Sequence, residues 1–112
     1  MKSFTLIMIS LLMLNTSFAN EEKYIASMKQ NIQALYDAQS IEQLLQTVNA
    51  LDRIGSVEKD KWEPQYYKAF GLVLMANREM DAVKKDLYLD QALDAITKAK
   101  EIGPNESEVE AV

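Results

Sequence analysis

Residues 89–104, LDQALDAITKAKEIGP, repeat the pattern of residues 41–56, IEQLLQTVNALDRIGS, 48 positions earlier. In the earlier copy apolar side chains stand at Ile41, Leu44, Leu45, Val48, Leu51 and Ile54. In the later copy they stand at Leu89, Ala92, Leu93, Ile96, Ala99 and Ile102, while Gln43 and Gly55 recur as Gln91 and Gly103. Steps of three and four residues put each set on one stripe of an amphipathic helix. The matched stripes predict an internal repeat, and a repeat of this length is a helical hairpin stacked on the next hairpin.

The intervening segments fit the same plan. Tyr24, Ile25, Met28, Ile32, Leu35 and Tyr36 fall at helical spacing and predict a first helix over residues 21–37. Ser40 with Gln43 forms the pattern of a capping box for a second helix over 41–54, which Gly55 should end in a left-handed conformation. Pro64 suits the first turn of a third helix over 64–77. That helix is apolar on most of its circumference, through Tyr66, Tyr67, Phe70, Leu72, Val73, Leu74 and Met75, so it should lie between others. Trp62 just before it is expected to fill the gap between hairpins. Residues 78–86 are charged and lack Gly and Pro, which leaves both a prolonged third helix and an irregular loop open. A fourth helix should run from residue 85 or 86 to 102 and stop at Gly103-Pro104. Residues 105–112, NESEVEAV, read as the capped start of a fifth helix. The expected class is therefore all-α, with antiparallel helix hairpins stacked as a short solenoid. Stacks of this kind need about three repeats, so further repeats or a partner are expected to cover the fourth helix.

Composition excludes several functions. His and Cys are absent, which removes the usual general base, the usual zinc ligands, thiol nucleophiles and disulfides. The serines of residues 20–112 sit in no glycine-flanked elbow and beside no plausible base, so no catalytic residues and no cofactor are expected. Asp86, Asp90 and Asp94 form an acidic ladder, but calcium loops bend through a glycine turn that this helix lacks. A solvated face is expected there, with Asp94 pairing to Lys98 and no metal bound. Net charge is −5, a poor match to nucleic acid.

The amino terminus has the form of an export signal. Lys2 precedes an apolar run over residues 4–14, and Ser17-Phe18-Ala19 is a small-x-small cleavage site, so Asn20 should be the mature terminus. A membrane span needs about 20 apolar residues, and Asn15 ends this run first. The expected product is periplasmic or secreted, without stable membrane insertion after cleavage. Cleavage also removes Lys2, leaving 11 basic against 17 acidic residues.

Tyr67, Phe70, Gly71 and Leu74, followed by Ala92, Ile96, Ala99 and Pro104, resemble the signature of the tetratricopeptide repeat. Gly71 and Ala92 would let the helices of one hairpin approach closely, and Ala99 would do the same for the next hairpin. The sequence departs from the family in its period, 48 against about 34, and in carrying Leu44 and Leu51 where small residues are usual. The resemblance implies a non-catalytic scaffold that binds a protein or peptide. It further implies a groove lined by the first helix of each unit. With Gly71 and Ile32 taken as equivalent, that face carries Lys29, Gln33 and Tyr36 in one unit and Gln65, Lys68, Leu72 and Met75 in the next. Lys29 and Lys68 would then align to receive a carboxylate, assisted by an amide. Two other readings stand beside this one. The hairpins could serve to self-associate, or a Met- and Tyr-rich interior could hold a small apolar ligand.

Overall fold

A computed structural model describes the backbone of residues 2–103 and the side chains of residues 20–103. Four helices follow one another, α1 (Lys2–Asp37), α2 (Ile41–Val57), α3 (Glu63–Arg78) and α4 (Ala82–Ile102), with no strand among the described residues. The export signal's side chains, Pro104 and the expected fifth helix lie outside the described residues. The first helix differs from expectation in extending unbroken from Lys2 through Asn20, so the apolar leader and the first amphipathic segment share one helix.

The connections are short because each is closed by a specific cap. Ser40 Oγ accepts from the Gln43 N–H at 3.2 Å, as the capping pattern predicts, while Gln43 Oε1 accepts from Gln39 N–H at 2.6 Å, one residue before the cap. At the end of α3, the Arg78 guanidinium donates to the carbonyls of Gln39 (2.8 Å) and Ala38 (3.1 Å). The last residue of α3 is thereby tied to the α1–α2 turn, and α1 and α3 run in the same direction with α2 antiparallel to both. The charged stretch after Arg78 is neither a prolonged helix nor a long loop. Glu79 Oε1 accepts from Asp81 N–H and Asp81 Oδ2 accepts from Lys84 N–H, which starts α4 at Ala82, ahead of the expected residue 85 or 86. Trp62 is half-buried and meets Tyr66 of its own α3 edge-on, centroids 5.8 Å apart, so it braces the start of α3.

Two hairpins, α1–α2 and α3–α4, stack through α3, which packs against α1, α2 and α4, whereas α4 packs on α3 alone. This is an all-α stack of antiparallel hairpins. The core runs through Met28 and Leu35 of α1, Leu44, Val48 and Leu51 of α2, Leu72 and Met75 of α3, and Ala92, Ala95 and Ala99 of α4. The 48-residue shift is visible in burial: Leu44, Thr47 and Leu51 are buried, and so are Ala92, Ala95 and Ala99. Leu45 and Leu93 also match each other, but as exposed positions on the outer flank of the stripe. Leu89 is exposed as well while its match Ile41 is half-buried, so the buried stripe is narrower than the apolar one.

Both glycines of the stack differ from expectation in what they do. Gly55 lies inside α2, no described glycine has positive φ, and the helix closes at Glu58 through its N–H to the Ile54 carbonyl at 2.8 Å. A Cβ on Gly55 would lie 2.8 Å from Gln65 Nε2, so glycine there admits α3 rather than ending a turn. Gly71 does not face Ala92. A Cβ there would lie 2.7 Å from Val48 Cγ2 and 3.0 Å from Leu35 Cδ2, so this glycine seats α3 in the groove of the preceding hairpin. Close contact within the second hairpin comes instead from the buried row Ala92, Ala95 and Ala99.

Candidate functional site

The row expected to bind a carboxylate is not one surface. Lys29 and Gln33 are exposed on α1, with Gln33 donating to Asp37 Oδ1 at 3.1 Å. Lys29 borders a shallow cleft with Met28, Ile32, Glu63 and Tyr67. Lys68 turns the other way, its Nζ 2.7 Å from Asp52 of α2. Leu72 and Met75 are each 1% exposed in the core, and Gln65 is buried beside Gly55. The error lies in the register. Burial matches Tyr24, Met28 and Leu35 to Gln65, Ala69 and Ala76, a shift of 41 residues, whereas equating Ile32 with Gly71 assumes 39. Two residues turn a helix by roughly 200°, which carries Lys68, Leu72 and Met75 to the opposite side.

Of the row, only Tyr36 touches the site that the structure does present. The residue is 66% exposed and its ring tilts against Phe70, centroids 5.8 Å apart. Beyond Phe70 an open groove of about 340 Å³ runs between α3 and α4, with walls made by Tyr66, Ala69, Phe70 and Val73 on one side and Leu89, Ala92, Leu93 and Ile96 on the other. No wall residue is charged, and Val73, Leu89 and Leu93 are 38%, 43% and 64% exposed. Apolar side chains in contiguous exposure at a helix–helix groove are the usual form of a surface that another chain covers. The signal in the sequence was the nearly all-round apolarity of α3, since α1 and α2 take one side of it and α4 only part of the other.

The outer edge of α4 is acidic. Asp86, Asp90 and Asp94 are exposed, and Asp94 does not form the expected pair with Lys98. Among the described residues no group of three or more His, Cys, Asp or Glu could hold a metal ion. No helix among them is long and apolar enough to cross a membrane.

A second polar feature joins the start of α1 to the α2–α3 connection. Lys61 Nζ pairs with Glu21 Oε2 at 3.3 Å and lies 4.9 Å over the ring of Tyr24, and the hydrogen bond to Glu21 raises the lysine's pKa. The Tyr24 hydroxyl is buried without a hydrogen-bond partner. Burial, reinforced by Glu63, Glu58, Glu21 and Asp60, pushes its pKa well above 10.0. The folded protein thus holds the phenolic proton more tightly than the unfolded chain does. Stability from this source is intact below about pH 10 and is lost as pH rises from there toward the folded pKa. Tyr24→Phe is expected to keep the parent's stability at pH 7 to within about 1 kcal/mol and to flatten its decline above pH 10. Urea titrations at pH 7 and at several values above 10 check this. Tyr66, whose pKa burial also raises, would account for a residual slope.

The described residues thus form an all-α helical-repeat stack that presents an open, uncharged groove. Comparison with protein-family models, curated proteins and solved structures finds no match for the chain.

Proposed function

We propose that this protein is a non-catalytic scaffold of tetratricopeptide-like type that acts after export, in the periplasm or outside the cell, by binding another protein through the α3–α4 groove. The observation that carries this reading is the groove itself, with eight apolar or aromatic residues, no charged one, and three aliphatic side chains more than a third exposed. An isolated aliphatic side chain on a surface is ordinary; a contiguous set lining a cleft is not. The residue inventory supports binding over chemistry, since neither His nor Cys is available. An open groove also suits a protein segment better than a small apolar ligand, which favours enclosure.

The test is photo-crosslinking in the producing cell with a reactive residue in place of Leu93, and in place of Lys98 as the control, both exposed positions on α4. Discrete adducts to another protein from position 93, absent from position 98, are the expected result. Adducts equally from both positions, or none from position 93, would move function away from the groove.

A further inference from the structure

We propose that the groove's occupant is an α-helix of another protein, apolar along one face, small where it crosses Ile96, and basic along the flank that meets Asp86 and Asp90. This rests on the reading of the groove as a protein-binding surface and names what the surface selects.

The helical form of the occupant follows from the internal repeat. Shifting α2 by 48 residues brings Ile41, Leu44, Leu45 and Val48 onto Leu89, Ala92, Leu93 and Ile96, the four α4 residues of the groove wall. On the other wall, the 41-residue shift read from burial brings Ile25, Met28, Lys29 and Ile32 onto Tyr66, Ala69, Phe70 and Val73. The α4 wall of the groove thus repeats the α2 row, and in the first copy a helix, α3, packs on that row and reaches Leu35 of α1. Burial along the matched α2 and α4 rows reports the difference, while on the other wall Ile25 and Lys29 are exposed and their counterparts Tyr66 and Phe70 half-buried. Val48 is buried and Ile96 only half-buried; Ile41 is half-buried and Leu89 exposed; Leu45 is less exposed than Leu93. At the first site Gly71 seats α3 against Val48, with room for no Cβ. Ile96, the equivalent of Val48, is β-branched and larger, so a helix lying the same way needs Gly or Ala at the same point.

Charge selects the flank. At 100° per residue, the face of α4 passes from the buried Ala95 and Ala99, through the groove residues, to Asp86, Asp90 and Asp94 on the side away from α3. A helix seated in the groove therefore lies beside Asp86 and Asp90, with Asp94 farther round α4, and lysine or arginine on that flank would pair with the nearer carboxylates. A second copy of this chain is disfavoured, since it carries the same row and a net charge of −5. Residues 104–112 contain Glu106, Glu108 and Glu110 and no basic residue, so they too lack the complement.

The test uses the full chain and two synthetic helical peptides of about 18 residues. Both have a Leu/Ala face and a central Gly, and they differ only in carrying Lys or Glu along one flank. Titration calorimetry should show the Lys peptide binding about tenfold more tightly, the summed effect of a few rim ion pairs, with the difference shrinking as salt is raised. Amide shifts on binding should cluster at Val73, Leu89, Leu93 and Ile96. The exposed double variant Asp86→Lys, Asp90→Lys, its circular dichroism unchanged, should reverse the preference. Equal binding of the two peptides at these residues would overturn the basic flank and leave the protein-binding reading standing. Concentration-dependent dimerisation that buries the same residues would overturn the proposal in favour of self-association. Failure of both peptides to bind would overturn the proposal alone if Leu93 still crosslinks to another protein, and both readings if it does not.

Discussion

Leu51→Ala is expected to cost about 2 to 5 kcal/mol of stability, whereas Leu93→Ala, the same change in another copy of the same repeat, is expected to cost no more than about 0.5 kcal/mol. Leu51 is 0% exposed between the hairpins, with Val48 and Leu44 on its own stripe and the Leu72–Met75 face of α3 in the same core. Truncating it removes three carbons from a packed interior and leaves a cavity that α2 can close only by moving against α3. Leu93 lies on the lip of an open groove, so its truncation takes little area out of a dry environment. Leu45→Ala should fall near Leu93→Ala, since Leu45 is also exposed. Urea unfolding of the four proteins, with equal dependence on denaturant, measures the set. A Leu93→Ala cost approaching that of Leu51→Ala would mean that the groove is closed in the isolated chain.

These contrasts show which parts of the fold were legible in the sequence. Helix existence was, because the 48-residue shift preserves both the apolar steps and the burial that follows from them, as at Leu44 and Ala92 or Leu51 and Ala99. Ser40 and Gln43 announced the start of α2 because capping is local chemistry, decided by side chains three residues apart. Rotation about each helix axis was not legible. Leu44 and Leu45 are equally apolar, and only the position of α3 decides which of them is buried. The same ambiguity misplaced the binding row, since Gly71 could be aligned with Ile32 by its expected role but not by burial. Gly55 and Gly71 misled for a related reason. Glycine signals either a left-handed turn or a close helix crossing, and the sequence does not say where the neighbouring helix passes. Of the groove, only the apolar surplus of α3 and the row through Leu89 and Leu93 could be read in advance. Its assembly from two helices required the hairpin geometry.

The crossing at Gly71 can be tested for the role that the distances give it. Alanine at a helix interior position normally improves on glycine by up to about 1 kcal/mol, so a free surface glycine would predict stabilisation. At position 71 the new Cβ would stand 2.7 Å from Val48 Cγ2 and 3.0 Å from Leu35 Cδ2. Neither methyl group can swing aside at low cost. Valine in a helix has essentially one side-chain rotamer, and Leu35 is itself buried, so α3 must back away from both helices of the first hairpin. Overpacking of about 1 to 3 kcal/mol should outweigh the propensity gain, leaving Gly71→Ala destabilised by about 1 to 2 kcal/mol. Gly55→Ala is the internal control. Its nearest obstacle is the terminal amide of Gln65, a flexible group that can turn, so most of the propensity gain should survive there. Val48→Ala removes the obstructing methyl and should cost about 2 kcal/mol alone by opening a cavity. In the double variant the alanine at 71 grows into that cavity, so the pair should cost less than the two single changes together by about 1 kcal/mol or more. Additive costs in this cycle would show that the Gly71 contact with Val48 does not set the α2–α3 spacing, and would remove the reason for expecting a small residue in any helix that crosses Ile96.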